Sequence, residues 1–436
     1  MNNKIKENIK HVNPFLHPYD TPHNAVPFGN IELADFEEAM MEGIRRENEQ
    51  VDKIVNNPDE PTFENTIIPE DDVKGRKHYY DLLDRTSTVF FNLLSAESND
   101  DMEALAQKMS PILTSHANDI SLNPKLFERI KYVHEHHRKL TPEESMLLEK
   151  SYDGFVRSGA LLDDKGKAKL RSLTEEAGKL GLTFSQNLLK ENKAFSLLIT
   201  DESQLEGLPE TVREAAHDAA KEAGKEGWLF TLDAPSYGPF MMYSTQRDLR
   251  KKMYMARATQ GTHDNDNNNL EVCKRIINIR REMAQLLGYS TYADYVMKDR
   301  MASNVKNVYK LLDDLIDAYK PTAEEEQEAV RELAKKEQGS DFEVMPWDNA
   351  FYSHKLKLEK YDLDPEMLRP YLEVNNVIKG VFGLATKLYG ITFKENKDIP
   401  VYNPDVKAYE VYDNDGSYLA LLYVDFYPRK GKQDGA

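Results

Sequence analysis

The chain has 436 residues, of which 40% are hydrophobic and 30% charged, enough for two or three domains with a large core. Its 57 Lys and Arg against 75 Asp and Glu give a formal charge of −18, which repels nucleic acid and anionic membrane and excludes both as main partners. No stretch approaches the roughly 18 consecutive apolar residues of a membrane-spanning helix. The start, MNNKIKENIKHVNPF, shows no apolar signal-peptide core, and the lone Cys273 makes an intramolecular disulfide impossible. A cytoplasmic location is the expectation, with export left open.

Residues 1–30 read as an extended strap, because Pro14, Pro18, Pro22 and Pro27 forbid helix. Phe15, Leu16, Tyr19 and Phe28 are its expected anchors. From Leu33 the pattern turns helical, with Phe36, Met40, Ile44, Val51 and Val55 at helical spacing. Further helices are predicted over Tyr79 to Leu94 and Met102 to Ala117. Asn123-Pro124 marks the next start as an N-cap followed by proline, and Thr141 with Glu144 forms a capping box. Leu173, Ala177, Leu180, Phe184 and Leu188 stripe one long helix that the reading carries on towards Ile199. An alanine-rich helix starts at GLPE, Gly207 to Glu210. Gly227 to Tyr243 reads as a short strand, a turn and a helix start. Gln246 to Ala258 and Leu270 to Leu287 are helical, with Gly288 placed for a left-handed cap. Val305 to Tyr319 and Thr322 to Glu337 are expected as two helices. Lys355 to Tyr361 follows, and Asp364-Pro365 caps a further one that includes LRPYLEVNNVIKGVFGLATKLYG.

The clearest strand signal comes last. Val406 to Tyr412 and Ser417 to Tyr427 flank Asp413-Asn414-Asp415-Gly416, whose short polar residues and glycine suit a hairpin turn. In the second run Tyr418, Ala420, Leu422, Val424 and Phe426 share one face, expected on the core. The other face ends in Tyr423, Asp425 and Tyr427, expected to look into a cleft or to hold one hydrogen-bonded acid. Arg429, Lys430 and Lys432 form a basic tip, read equally as a solvated turn or an attractor for a peptide carboxylate.

Common catalytic patterns fail. A His-Glu-x-x-His metal helix needs two imidazoles one turn apart. Only His134 is followed by Glu, and Arg138 stands where the second His should be. His134, His136 and His137 read as a solvated helix end. The 413–416 turn lacks the ligands of a calcium loop, Val411 and Leu422 standing at its first and last positions. No phosphate loop and no Gly-x-Ser-x-Gly elbow is present. Cys273 reads as core beside Ile276 and Ile277, since nothing places a His near it.

Several stretches resemble one family. NPFLHPYDTPH with the following PF, PTFENT, FSQNLL with AFSLLI, GWLFTLDAPSYGPFMMY and LALLYVDFYPRKGKQDGA are similar to segments of the thimet oligopeptidase and peptidyl-dipeptidase family of zinc metallopeptidases. The strap is closest to the bacterial peptidyl-dipeptidase branch. The resemblance implies a mainly α, multi-helix channel architecture, with a small β region near the C-terminus. It implies a strap over 1–30, an N-terminal helical region over 31–225 and the first part of a catalytic region over 226–436. In the family the His-Glu-x-x-His segment comes later, so the expectation is a chain truncated before the zinc helix. The complete enzyme would use zinc to hydrolyse short peptides. This chain alone is expected to carry no catalytic residue, to bind no zinc and to be inactive, with a missing C-terminal half as a partner. Tyr423, Asp425, Tyr427 and Arg429 are the substrate-channel candidates. The alternative is a non-catalytic peptide-binding or remnant helical protein.

Overall fold

The structure, a computed structural model, describes residues 11–68, 82–136 and 139–433. It is mainly α, as expected, with two small sheets. Its described residues divide into one unit within 11–179 and 385–433 and a second of Leu180–Leu384.

The first unit is built on α1 (Leu33–Val55) and α2 (Leu82–Ala96). Phe36, Ala39, Met40 and Gly43 recur at helical spacing on α1 and are its buried face. Phe36 packs its ring on Phe15 at 5.2 Å and on Phe90 of α2 at 5.1 Å. Each such buried ring contributes about 1.5–3 kcal/mol. Gly43 lets the helices close: a Cβ there would lie 2.7 Å from the backbone nitrogen of Leu83. α3 (Asp100–Ser121), α4 (Pro124–His136) and α5 (Pro142–Arg157) complete the helices around this pair. Their starts follow the sequence closely. The Asn123 side chain accepts from the Leu126 N–H at 3.1 Å, and Thr141 and Glu144 exchange both capping-box bonds, at 3.2 and 2.7 Å. The part of the predicted Tyr79 helix before Leu82 lies outside the described residues, as do residues 1–10 of the strap.

α6 (Asp164–Ala194) begins in the first unit and ends in the second. The helix expected to run on towards Ile199 stops at Ala194. Leu197–Ile199 is instead strand β1, paired antiparallel with β2 (Trp228–Phe230). Leu197 and Ile199 are buried with Phe230, Leu232, Phe240 and Met253 in the second unit's core, so alternate burial overrides the helical stripe. Around this core stand α7 (Glu210–Glu222), α8 (Ala234–Tyr243) and α9 (Arg247–Ala258). They are followed by α10 (Leu270–Leu286), α11 (Tyr292–Met297), α12 (Val305–Gln338) and α13 (Pro346–Tyr361).

Three further stretches differ from expectation. The two helices expected over 305–337 are one, α12, with Pro321 inside it. A proline removes one backbone bond without ending a helix whose other turns persist. The helix expected from Asp364 is broken: α14 covers only Pro365–Leu368, a 3-10 turn takes Arg369–Tyr371 around Pro370, and α15 restarts at Val374 and runs to Tyr389. Cys273 is half-buried and its neighbour Ile277 is 65% exposed, so this face of α10 is not core.

After α15 the chain forms a sheet in the order β3-β4-β5: Thr392–Glu395, Lys407–Tyr412 and Tyr418–Val424, all antiparallel. The predicted hairpin is β4–β5, closed by Gly416 N–H donating to Asp413 O at 3.0 Å. The edge strand β3 carries little apolar signal in TFKE and was not foreseen.

Candidate functional site

The strap residues from His11 onward belong to the first unit and touch its sheet. Prolines keep them out of α-helix, and Phe28 sets its ring edge-on to Tyr402 at 5.4 Å and Tyr423 at 6.0 Å. His23 stacks on Tyr418 with centroids 3.8 Å apart and hydrogen-bonds through Nε2 to Glu410 Oε1 at 2.7 Å. His23 and Asn24 both adopt positive φ, 56° and 54°, a conformation that costs a non-glycine residue about 1–3 kcal/mol. Glu410, on β4, also accepts from Asn396 at 3.0 Å and Tyr412 at 2.9 Å. The bond from His23, with those from Asn396 and Tyr412, pulls its carboxyl down to about 2.

On β5 the two faces are reversed relative to expectation. Leu421 and Tyr423 pack on the buried cluster of Ala25, Ile399 and Ala408. On the opposite face Ala420 is exposed, while a register shift at Val411/Tyr412 pairs Tyr418 with Tyr412 and brings it under His23 of the strap. The strap is the reason: it covers the face that ends in polar residues, and the sequence of β5 alone cannot show what lies over it. Tyr423 is held inside this contact, its hydroxyl buried without a hydrogen-bond partner and its pKa pushed up by burial. The strand ends at Val424, so Asp425 and Tyr427 follow it and strand alternation no longer aligns them with Tyr423.

Asp425 is a structural hub. Arg429 donates to both of its oxygens at 2.8 Å, Lys432 Nζ lies 3.0 Å from Oδ1, and Tyr402 donates to Oδ2 at 2.9 Å. The Arg429 bonds, aided by Lys432 and Tyr402, hold its carboxyl far below the ordinary range. Burial, together with that same bond, pushes the Tyr402 phenol up to about 12. Arg429 further donates Nε–H to Glu97 at 2.6 Å and Nη2–H to the Ala96 carbonyl at 2.8 Å, at the C-terminus of α2. The backbone follows, with Ser98 N–H to Gly431 O and Gln433 N–H to Ser95 O, each 2.9 Å. Gly431 has φ 91°, and an added Cβ would run into the Ser98 carbonyl oxygen, so only glycine fits. The basic tip is therefore not a free turn. Arg429 and Lys432 spend their charges on Asp425 and Glu97, and of the three cations Lys430 is exposed. Tyr427, 50% exposed, is the most open of the four candidates.

The histidine-rich helix end is partnered locally. His134 stacks on Tyr152 at 4.0 Å and bonds Glu149 at 3.1 Å, and His136 stacks on Tyr132 at 4.3 Å; His137 and Arg138 lie outside the described residues. Among the described residues no three His, Cys, Asp or Glu side chains converge on a metal position. Among the described residues no donor set fits a resident zinc ion. No described helix is long and apolar enough to cross a membrane.

One polar cluster in the second unit escaped the sequence reading. Asp348 is fully buried and bonds Arg250 at 2.9 Å and Arg247 at 2.7 Å. Burial alone would raise its pKa, but the Arg247 bond, with the Met345 N–H and Arg250, outweighs it and the carboxyl is lowered. The pairs are about 100 residues apart, and Pro346-Trp347-Asp348 gives only a helix-start signal.

The chain is mainly α, with a small sheet that the strap touches through Phe28 and His23. Residues 240–436 match Peptidase family M3. The chain is 35% identical over 429 residues to dipeptidyl carboxypeptidase of Escherichia coli, covering 98% of this chain and 62% of that protein. It is 31% identical over 430 residues to oligopeptidase A of the same organism, covering 97% and 62%. Saccharolysin of Saccharomyces cerevisiae is 27% identical over 299 residues, covering 65% and 41%. The chain is thus similar to Peptidase family M3 and its relatives, and spans about three-fifths of the length of the bacterial relatives it matches.

Proposed function

We propose that this chain is the N-terminal portion of a zinc peptidase that hydrolyses short peptides, releasing dipeptides in the manner of the peptidyl-dipeptidase branch. The observation that carries the reading is the 35% identity to dipeptidyl carboxypeptidase across 98% of the chain. Zinc and the general base belong to a segment beyond the one described here. That segment is the proposed partner, residues 226–436 are the first part of the catalytic region, and the assembly works in the cytoplasm.

Exposed apolar stripes support a missing partner. On α12, Tyr309, Leu312, Ile316 and Tyr319 fall on one face and are 47–67% exposed. On α15, Val377, Val381, Leu384 and Leu388 do the same at 40–63%, and that helix buries no residue. Amphipathic helices of this kind require a covering element.

The substrate's place is the open side of β5, the edge strand of its sheet. A peptide added there as a further strand would take main-chain hydrogen bonds. Tyr427 contacts it, while Tyr423, Asp425 and Arg429 hold the strand and the following turn in position. The test is release of a C-terminal dipeptide from an N-blocked oligopeptide, with this chain alone and with the remaining segment of the E. coli dipeptidyl carboxypeptidase added. Turnover only in the mixture is expected. Turnover by the chain alone overturns the partner requirement, and a stable complex that binds peptide without cleaving it favours the non-catalytic reading.

A further inference from the structure

Among the described residues, one hydrogen bond joins strap residues 18–30 to the rest of the chain: His23 Nε2 to Glu410 Oε1 at 2.7 Å. The segment's other bonds are internal, such as Asn24 N–H to Thr21 O at 3.0 Å and Ala25 N–H to Pro22 O at 3.1 Å. The rest of its attachment is apolar or aromatic. Ala25 is buried with Ile399 and Ala408, Phe28 meets Tyr402 and Tyr423, and Tyr19 lies under the Arg85 guanidinium at 5.0 Å. Two costs are built into this arrangement. His23 and Asn24 stand side by side at positive φ, where neither is a glycine. Beneath the strap, the Tyr423 hydroxyl is buried with no hydrogen-bond partner. Opening relieves both, so closure leans on the single polar bond.

Histidine is the side chain whose charge changes between about pH 5 and 8. An imidazolium gives a carboxylate a charge-assisted bond, about twice as strong as a neutral one. The titratable groups facing His23 are Glu410 and Tyr412 on β4 and Tyr418 on β5, with Lys394 of β3 opposite Glu410 in the register. Among the described residues, Glu410 is the one carboxylate bonded to the ring, and its own titration near 2 lies below that window.

We propose that residues 18–30 are a pH-sensitive clasp on the sheet, closed while His23 is protonated and released as rising pH takes its proton. The sign follows from the partner, because the Glu410 carboxylate stabilises the cation and neutralising the ring weakens the one bond that fastens the segment. Release uncovers the side of β5 that carries Leu421 and Tyr423. Any effect on peptide at the edge of β5 rests on the proposed function, whereas opening of the clasp does not.

Amide hydrogen exchange of the purified chain, without peptide, tests it. The protection factors of residues 24–30 at about pH 5.5 are expected to exceed those at about pH 8 by about tenfold, with buried α1 amides unchanged as the measure of an intact fold. His23→Gln keeps a donor without the charge, so it should give equal protection at both pH values. His11, bonded to Asp35 at 2.8 Å, is the strap's other histidine paired with an acid, and His11→Gln should retain the pH dependence at 24–30. Equal or greater wild-type protection at the higher pH, a pH dependence that survives in folded His23→Gln, or one that His11→Gln abolishes overturns the proposal.

Discussion

Two arginine–aspartate clusters, one in each unit, look alike in composition and differ in setting. Asp348 and Arg250 are 0% and 2% exposed, and Arg247 closes the cluster from the surface at 42%. Asp425 and Arg429 are 12% and 13% exposed, and their partners Glu97, Lys432 and Tyr402 reach towards solvent. In the first cluster desolvation of both charges is nearly complete, so each depends on the other. In the second, water and several neighbours share the load. An acid on a strand end is therefore not marked as a substrate contact by its charge alone. What matters is whether its lone pairs are already taken, and in Asp425 they are.

The contrast is sharpest under truncation. Asp348→Ala leaves Arg250 buried without its counter-ion and should lower the stability of the second unit by about 3–5 kcal/mol in urea denaturation. A loss below 1 kcal/mol would mean that water reaches Arg250 and that the two clusters are equivalent. Asp425→Asn should cost less, about 1–3 kcal/mol, because Arg429 keeps Glu97 and the Ala96 carbonyl. Its proposed positioning role predicts that a completed enzyme loses peptide turnover in proportion to folded protein lost. Turnover lost with melting temperature unchanged would restore Asp425 as a direct substrate contact.

Acid adds a third test. The Glu410 carboxyl titrates near 2 in the folded chain against an ordinary 4.5, so its contribution is complete above pH 4.5 and is lost as pH falls towards 2. Glu410→Gln should flatten the fall in melting temperature over that window, and an unchanged slope would assign acid sensitivity to other carboxylates. The smallest effect belongs to Tyr423. Its hydroxyl is buried without a partner, so Tyr423→Phe should be neutral or stabilising by up to about 1 kcal/mol. A clear drop in melting temperature would reveal a hydrogen bond to bound water, and a drop in turnover alone would return the phenol to the substrate.

Much of the fold is set by local sequence. Asn123-Pro124 and the Thr141–Glu144 box start helices where their side chains can satisfy open backbone N–H groups, and Asp413–Gly416 closes its hairpin, because each signal acts within a few residues. The apolar spacing of α1 likewise announces its buried face. Tertiary structure decided the rest. Leu197–Ile199 became a strand only because Trp228–Phe230 lay beside it, and Pro321 sits inside one continuous α12. The direction in which β5 faces was set by a strap some 400 residues earlier, through His23 on Glu410 and Phe28 on Tyr423. The Arg250–Asp348 pair likewise joins residues far apart in the chain. Burial and pairing of that kind depend on what the fold brings alongside, and no window of sequence contains it.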